Sequence, residues 1–192
     1  MKNNIPKILI LFGSPHPGGF TYKILKYVTN MLPKSQIIVK KAFEENVKPC
    51  IDCSFCKSND ACAFDDMNEI YDLIEMSDVM IIAFPIYNSS LPAPLKAIID
   101  RMQRYYNQRF FLKVNNSVIK PKKVFIVTTQ GSNKNESDIL EPQLIPTLKL
   151  LNSREIYRII ISGTDFNKFD MEKYFKENEK DIKNIVDKLL DI

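Results

Sequence analysis

The sequence predicts an α/β fold, a three-layer sandwich whose central sheet holds five parallel strands in the order 2-1-3-4-5. Three observations carry that expectation. Five short apolar runs alternate with stretches whose apolar residues recur at helical spacing, the pattern of parallel strands joined by right-handed helical crossovers. The chain has only five glycines, Gly13, Gly18, Gly19, Gly131 and Gly163, and each falls just after an expected strand, on the sheet edge where open α/β folds bind ligands. At 192 residues, 45% of them hydrophobic, the chain suffices for one well-buried core and is short for two. Residues 1–192 are therefore read as one domain.

The first strand is the run 7–12, apolar enough to be buried on both faces. It is closed by Gly13-Ser14-Pro15-His16-Pro17-Gly18-Gly19-Phe20-Thr21, which leads into a helix over 21–32 with Ile24, Leu25, Val28, Met31 and Leu32 on one face and Pro33 at its end. A second strand follows over 36–43. Residues 44–65 show no period and include a cysteine-rich loop at 46–65. The second helix starts from Asp65 or Asp66, either of which can cap it, and turns Met67, Ile70, Tyr71 and Ile74 to one side.

The third strand, 79–84, is apolar almost throughout and so central. After a loop at 85–93, Pro94 fits the first turn of a third helix striped with Leu95, Ile98, Ile99 and Met102. The connection 107–121 is longer than the usual ~4–6 residues, and its Phe110 and Phe111 suggest a lid or a subunit contact. A fourth strand at 123–128, a polar loop at 130–135, a helix over 139–151 interrupted near Pro142 and Pro146, a fifth strand at 156–162 and a last helix over about 170–190 complete the chain.

A formal charge of +4 is mild, and no Lys/Arg block with interleaved aromatics occurs, which argues against nucleic acid as a main partner. The opening apolar run is too short for a signal peptide and no later stretch approaches a membrane span. A cytoplasmic protein without a membrane partner is expected. The four cysteines all lie between positions 50 and 62, the distribution of a site and not of staples spread through a secreted fold.

In the expected strand order the loops at 13–21 and 85–93 face each other across one crevice, with 129–132 next along. The first loop suits a phosphate: the opening N–H groups of a helix lack intrahelical partners and carry partial positive charge. Gly18 and Gly19 let the main chain approach an anion, Ser14 and Thr21 offer hydroxyls, and His16 a third contact. The same residues also suit an ordinary βα turn in which Thr21 is only an N-cap. Pro85, Ile86, Tyr87 and Asn88, with Thr129, Gln130 and Gly131 opposite, form a slot for a flat ring with polar edges. Seat and slot together fit a mononucleotide of riboflavin. Paired carboxylates around a water and a Ser-His-Asp arrangement are both missing, so no side chain is assigned as catalytic; chemistry carried by a flavin needs neither.

Three motifs carry a resemblance. They are Gly13-Ser14-Pro15-His16 continuing to Gly18-Gly19-Phe20-Thr21; Cys50-x2-Cys53-x2-Cys56-x5-Cys62 leading to Asp65-Asp66-Met67; and Pro85-Ile86-Tyr87 continuing to Leu95-Lys96-Ala97-Ile98-Ile99-Asp100-Arg101. In order and spacing the chain resembles the NAD(P)H-dependent FMN reductase group of flavodoxin-like proteins, and within it the iron–sulfur flavoprotein branch. The motifs cover residues 7–132; the last third matches in layout only. The resemblance implies FMN, with its phosphate on Ser14, His16, Thr21 and the backbone of Phe20, and its ring against 85–88 and 129–132. It also implies NADH or NADPH as hydride donor, a small-molecule or protein electron acceptor, and a homodimer or homotetramer.

Two positions depart from the group, which usually has Arg in place of His16 and Asn in place of Phe20. Because an imidazole carries charge only at mildly acid pH unless an anion stabilises it, phosphate binding is expected to be weaker or more pH-dependent. For Cys50, Cys53, Cys56 and Cys62 the spacing lets three thiolates converge and a fourth join across a short return, as in [4Fe–4S] ligation. Structural zinc, a Cys-x-x-Cys redox pair and unligated thiols stay open on the residues alone. The remaining charges, Asp65, Asp66, Asp100 and Arg101, are read as helix caps and ion pairs.

Overall fold

Five strands, β1 (Ile8–Phe12), β2 (Ile37–Lys41), β3 (Val79–Pro85), β4 (Lys122–Thr129) and β5 (Ser153–Ile161), pair in parallel as one sheet in the order β2-β1-β3-β4-β5. This is the predicted topology, seen in a computed structural model that describes residues 5–33, 36–114, 119–133, 140–165 and 169–191, with Glu141 described by its backbone alone. β3 lies at the centre, flanked by β1 and β4; all three are apolar on both faces, and every residue of β1 is buried.

The two-residue repeat of the strands sorts the core into two halves. Leu9, Leu11, Met80, Ile82, Val124 and Ile126 pack under α2 (Asn68–Met76), α3 (Ala93–Arg101), α4 (Gln103–Phe110) and α5 (Leu140–Leu150). Ile8, Ile10, Phe12, Val79, Ile81, Phe125 and Val127 pack on the other side, against α1 (Phe20–Thr29) and α6 (Met171–Leu190). The three layers predicted from the sequence follow directly from this parity.

Several boundaries shift for identifiable reasons. α1 ends at Thr29 because the chain tightens into turns, Met31 N–H to Val28 O and Leu32 N–H to Thr29 O, before reaching Pro33. Residues 103–110, of which the last four were read as loop, form α4, which begins where Met102 relaxes to ψ −7°. Its sequence, QRYYNQRF, has no apolar stripe to announce it; Tyr105, Asn107 and Gln108 are buried by tertiary contacts instead. α5 runs unbroken through both prolines. Pro142 occupies its first turn, where the N–H needs no partner, and Leu140, Leu144 and Leu148 bury one face around Pro146. Residue 139, where that helix was expected to start, and residues 134–135 of the polar loop and 115–118 of the long connection lie outside the described residues.

Neither Asp65 nor Asp66 caps α2. Met67 holds the N-cap position without a side-chain bond, and Asp66 turns away to other partners described below. Asp170 does cap α6, its carboxylate accepting from the N–H groups of Glu172 and Lys173 at 3.0 and 3.1 Å. Asp100 pairs with Lys96 one turn earlier, as read. Among the described residues no helix is long and apolar enough to cross a membrane.

Candidate functional site

The strand order puts the carboxyl ends of β1, β3 and β4 side by side, so the three loops singled out in the sequence share one rim. The first bends at Gly13, whose N–H donates to Ala83 O at 2.8 Å. A methyl there would sit 2.7 Å from Leu95 Cδ2 and 3.0 Å from Phe84 Cβ, so glycine is required for the loop to lie against β3 and α3. Ser14 is buried, and its Oγ accepts from His16 N–H at 3.3 Å. Residues 15–18 are exposed, and a Cβ at Gly18 would meet nothing within 4 Å. Gly19 is the N-cap of α1 in extended backbone, with no side-chain capping bond. The helix start is left for another acceptor.

Thr21 is therefore not the cap. It is the second residue of α1, and its hydroxyl lies 2.6 Å from that of Thr129, both side chains buried. Thr129 O in turn accepts from Ile86 N–H at 2.8 Å. One residue at the end of β4 thus ties the loop after β1 to the loop after β3. Beyond Ile86 the chain makes a two-residue turn, with Tyr87 and Ser90 exchanging backbone hydrogen bonds at 3.0 and 2.9 Å and both Asn88 (φ 48°) and Ser89 (φ 56°) left-handed. Tyr87 is 40% exposed. In the neighbouring loop Gln130 is buried, its amide donating to Ser132 O at 3.2 Å, and its carbonyl accepts from Thr164 Oγ1 at 3.0 Å. The space a side chain at Gly131 would fill holds the Asp165 carboxylate, a neighbour that no local pattern singles out.

A second centre lies where the end of α3 meets α4. Cys50, Cys53, Cys56 and Cys62 are free thiols that line one cavity with Arg101, Arg104 and Asn107. Among the described residues no three or more His, Cys, Asp or Glu side chains are placed to hold a metal ion. The loop owes its shape to charged groups underneath it. Arg101 is buried, pairs with Asp66 at 2.9 Å and donates to Lys48 O at 2.9 Å and Phe64 O at 3.1 Å. Asp66 also accepts from Lys48 N–H at 2.8 Å. Burial works against the charge on Arg101, but Tyr71, Cys62 and Asp66 beside it outweigh that and hold its pKa above the ordinary value. From α4, Asn107 Nδ2 donates to Cys56 Sγ at 3.0 Å and Gln108 to the Asp60 carboxylate.

The family model described as NADPH-dependent FMN reductase matches residues 6–164. The chain belongs to this family. Among its curated relatives, an iron–sulfur flavoprotein of Methanosarcina thermophila is 34% identical over 56% of the chain and 58% of its own length. An FMN-dependent NADH:quinone oxidoreductase of Pelagibacter ubique is 35% identical over 64% of each. The chain thus spans less than two thirds of the length of these relatives. A solved NAD(P)H:quinone oxidoreductase of Methanothermobacter marburgensis superposes with a TM-score of 0.73 at 18% identity, covering 95% of the chain and all of that structure, which shows the shared fold.

The fold brings Ser14, Gly19, Thr21, Ile86, Thr129, Gln130 and Gly131 to one rim and all four cysteines to one cavity. His16 and Tyr87 stand exposed at the edge of the rim. Phe20 turns its ring onto Phe169, with centroids 5.2 Å apart, leaving only its backbone for the loop. Asn107 and Gln108 lie in a helix without an apolar stripe, so no spacing marks them; Asp66 and Arg101 lie inside the motifs, where the ion-pair reading holds and the cap reading of Asp66 does not.

Proposed function

We propose that this chain is an FMN-dependent oxidoreductase that takes reducing equivalents from NADH or NADPH and delivers them to an acceptor, a quinone or another flavin among small molecules, or a protein partner. The observation that carries the reading is the stitched rim: an uncapped helix start and two buried hydroxyls beside the loops at the ends of three adjacent strands. Ser14, Thr21 and the opening N–H groups of α1 would hold the phosphate, with His16 as a further contact. The main chain of 85–88 and of Thr129, Gln130 and Gly131 would meet the edge of the ring. When bound, FMN supplies the conversion between two-electron hydride chemistry and single-electron transfer. The protein's part is to seat it, orient it and shield it from water.

In the same proposal the cysteine loop holds a [4Fe–4S] cluster. The donor set suits one: four thiols surround a single cavity, yet they do not close on the one point that a lone ion with ligands about 2.3 Å away requires. A cluster binds each thiolate through a different iron and so accepts the wider spread. Asn107 would donate to a ligand sulfur, and Arg101 and Arg104 would offset the cluster's negative charge. Phe110 and Phe111, each 53% exposed at the end of α4, support a homo-oligomer with this segment at the contact. Free thiols beside that surface agree with a cytoplasmic setting.

The test is a Ser14→Ala, Thr21→Ala double variant. It should retain at least tenfold less FMN after desalting than the parent, while the parent oxidises NADH or NADPH when a quinone is added. Unchanged FMN retention would show that the phosphate seat is misassigned. Bound FMN without turnover of either nucleotide would point to an electron carrier in place of an enzyme.

A further inference from the structure

We propose that Thr129 is a positioning residue for the phosphate seat, orienting the Thr21 hydroxyl and so setting a preference for FMN over unphosphorylated riboflavin. The inference deepens the FMN reading and rests on it. Thr21 and Thr129 are 3% and 4% exposed, 108 positions apart in sequence, and their hydroxyl oxygens are 2.6 Å apart. In such a pair one hydroxyl donates and the other accepts, and without a ligand either can be the donor.

A phosphate removes that freedom. Its oxygens only accept, so Thr21 can serve it only by giving its single proton away, and its own oxygen must then accept from Thr129. The chain of donation becomes Thr129 to Thr21 to phosphate, each bond polarising the next. Thr129 is well suited to hold this direction because it is itself held: it ends β4 in register with Pro85, and its carbonyl accepts from Ile86 N–H at 2.8 Å. It reaches the phosphate only through Thr21. Riboflavin presents no anion there, and its binding should be indifferent to the order of the pair.

The experiment is fluorescence titration of apo-protein with FMN and with riboflavin. Thr129→Val keeps the shape and removes the proton; it should weaken FMN binding about fivefold to tenfold, the worth of one hydrogen bond between neutral groups, and weaken riboflavin binding by less than about twofold. Thr129→Ser should restore FMN affinity to within about twofold. Thr21→Val with Thr129→Val should lose no more than Thr21→Val alone, since the second residue acts only through the first. Equal loss for both flavins, or losses that add in the double variant, would overturn the proposal in favour of a general structural role for Thr129. Where Thr129→Val loses its cooperative melt, Thr129→Ala carries the same prediction. A parent that binds no FMN, or a Thr21→Val variant with undiminished affinity, would sink the phosphate seat itself and this inference with it; a normal Thr21→Val loss with an unaffected Thr129→Val would sink this inference alone.

Discussion

Lys122 opens β4 with its side chain buried, its ammonium donating to Lys120 O at 2.8 Å and reaching Ser77 O at 3.4 Å. Burial pushes its pKa down from 10.5 to about 8, against the pull of Asp78 and Glu75. Between those two pH values the unfolded chain holds the proton that the native one has released, so this residue makes stability rise with pH across the window. The effect is on the order of 3 kcal/mol when complete and absent below pH 8. Urea unfolding of the parent and of Lys122→Met at pH 7.5 and 10 should show the parent gaining on the variant at the higher pH. A parent that falls behind there would mean that the ammonium is better satisfied in the fold than in water. At this scale residue types were legible while pairings were not: the sequence marks Thr21 and Thr129 as polar residues near strand ends, but nothing local joins two hydroxyls 108 positions apart.

α3 and α4 show what an element can hold in place beyond its own length. From the last turn of α3 a single guanidinium grips Asp66 and the carbonyls of Lys48 and Phe64, which bracket the four cysteines in sequence. Arg101→Met removes the cation and leaves three acceptors facing apolar surroundings, which should cost roughly 3–5 kcal/mol in urea unfolding and expose the 46–65 loop to limited proteolysis. A loss below about 1 kcal/mol with an intact loop would mean that the clasp is incidental. The helices with an apolar stripe, α1, α2, α3 and α6, were readable from spacing because burial imposes that spacing. α4 was missed since its partners are the polar groups of a loop, and α5 was read as broken because proline rules describe isolated helices, whereas its leucine face is held by the sheet.

For the whole molecule, strand order was the most legible property of all. Alternating apolar runs and helical stretches admit few parallel topologies, and the one realised sets the loops after β1, β3 and β4 on one rim. That rim was therefore visible before any coordinates, while the Asp165 carboxylate beside Gly131 depends on how β5 ends and was not. The proposed reading gives two jobs to two places: the rim, with its buried hydroxyls, would take an anion with a flat ring, and the thiol cavity where α3 meets α4 a soft metal cluster. The account stands on the first of these. Its most direct test is the absorption spectrum of protein purified without oxygen, mixed with excess FMN and then desalted. Flavin bands that stay with the protein in an amount equal to the chain are the predicted result; a colourless protein fraction, with all the FMN in the small-molecule wash, would contradict it.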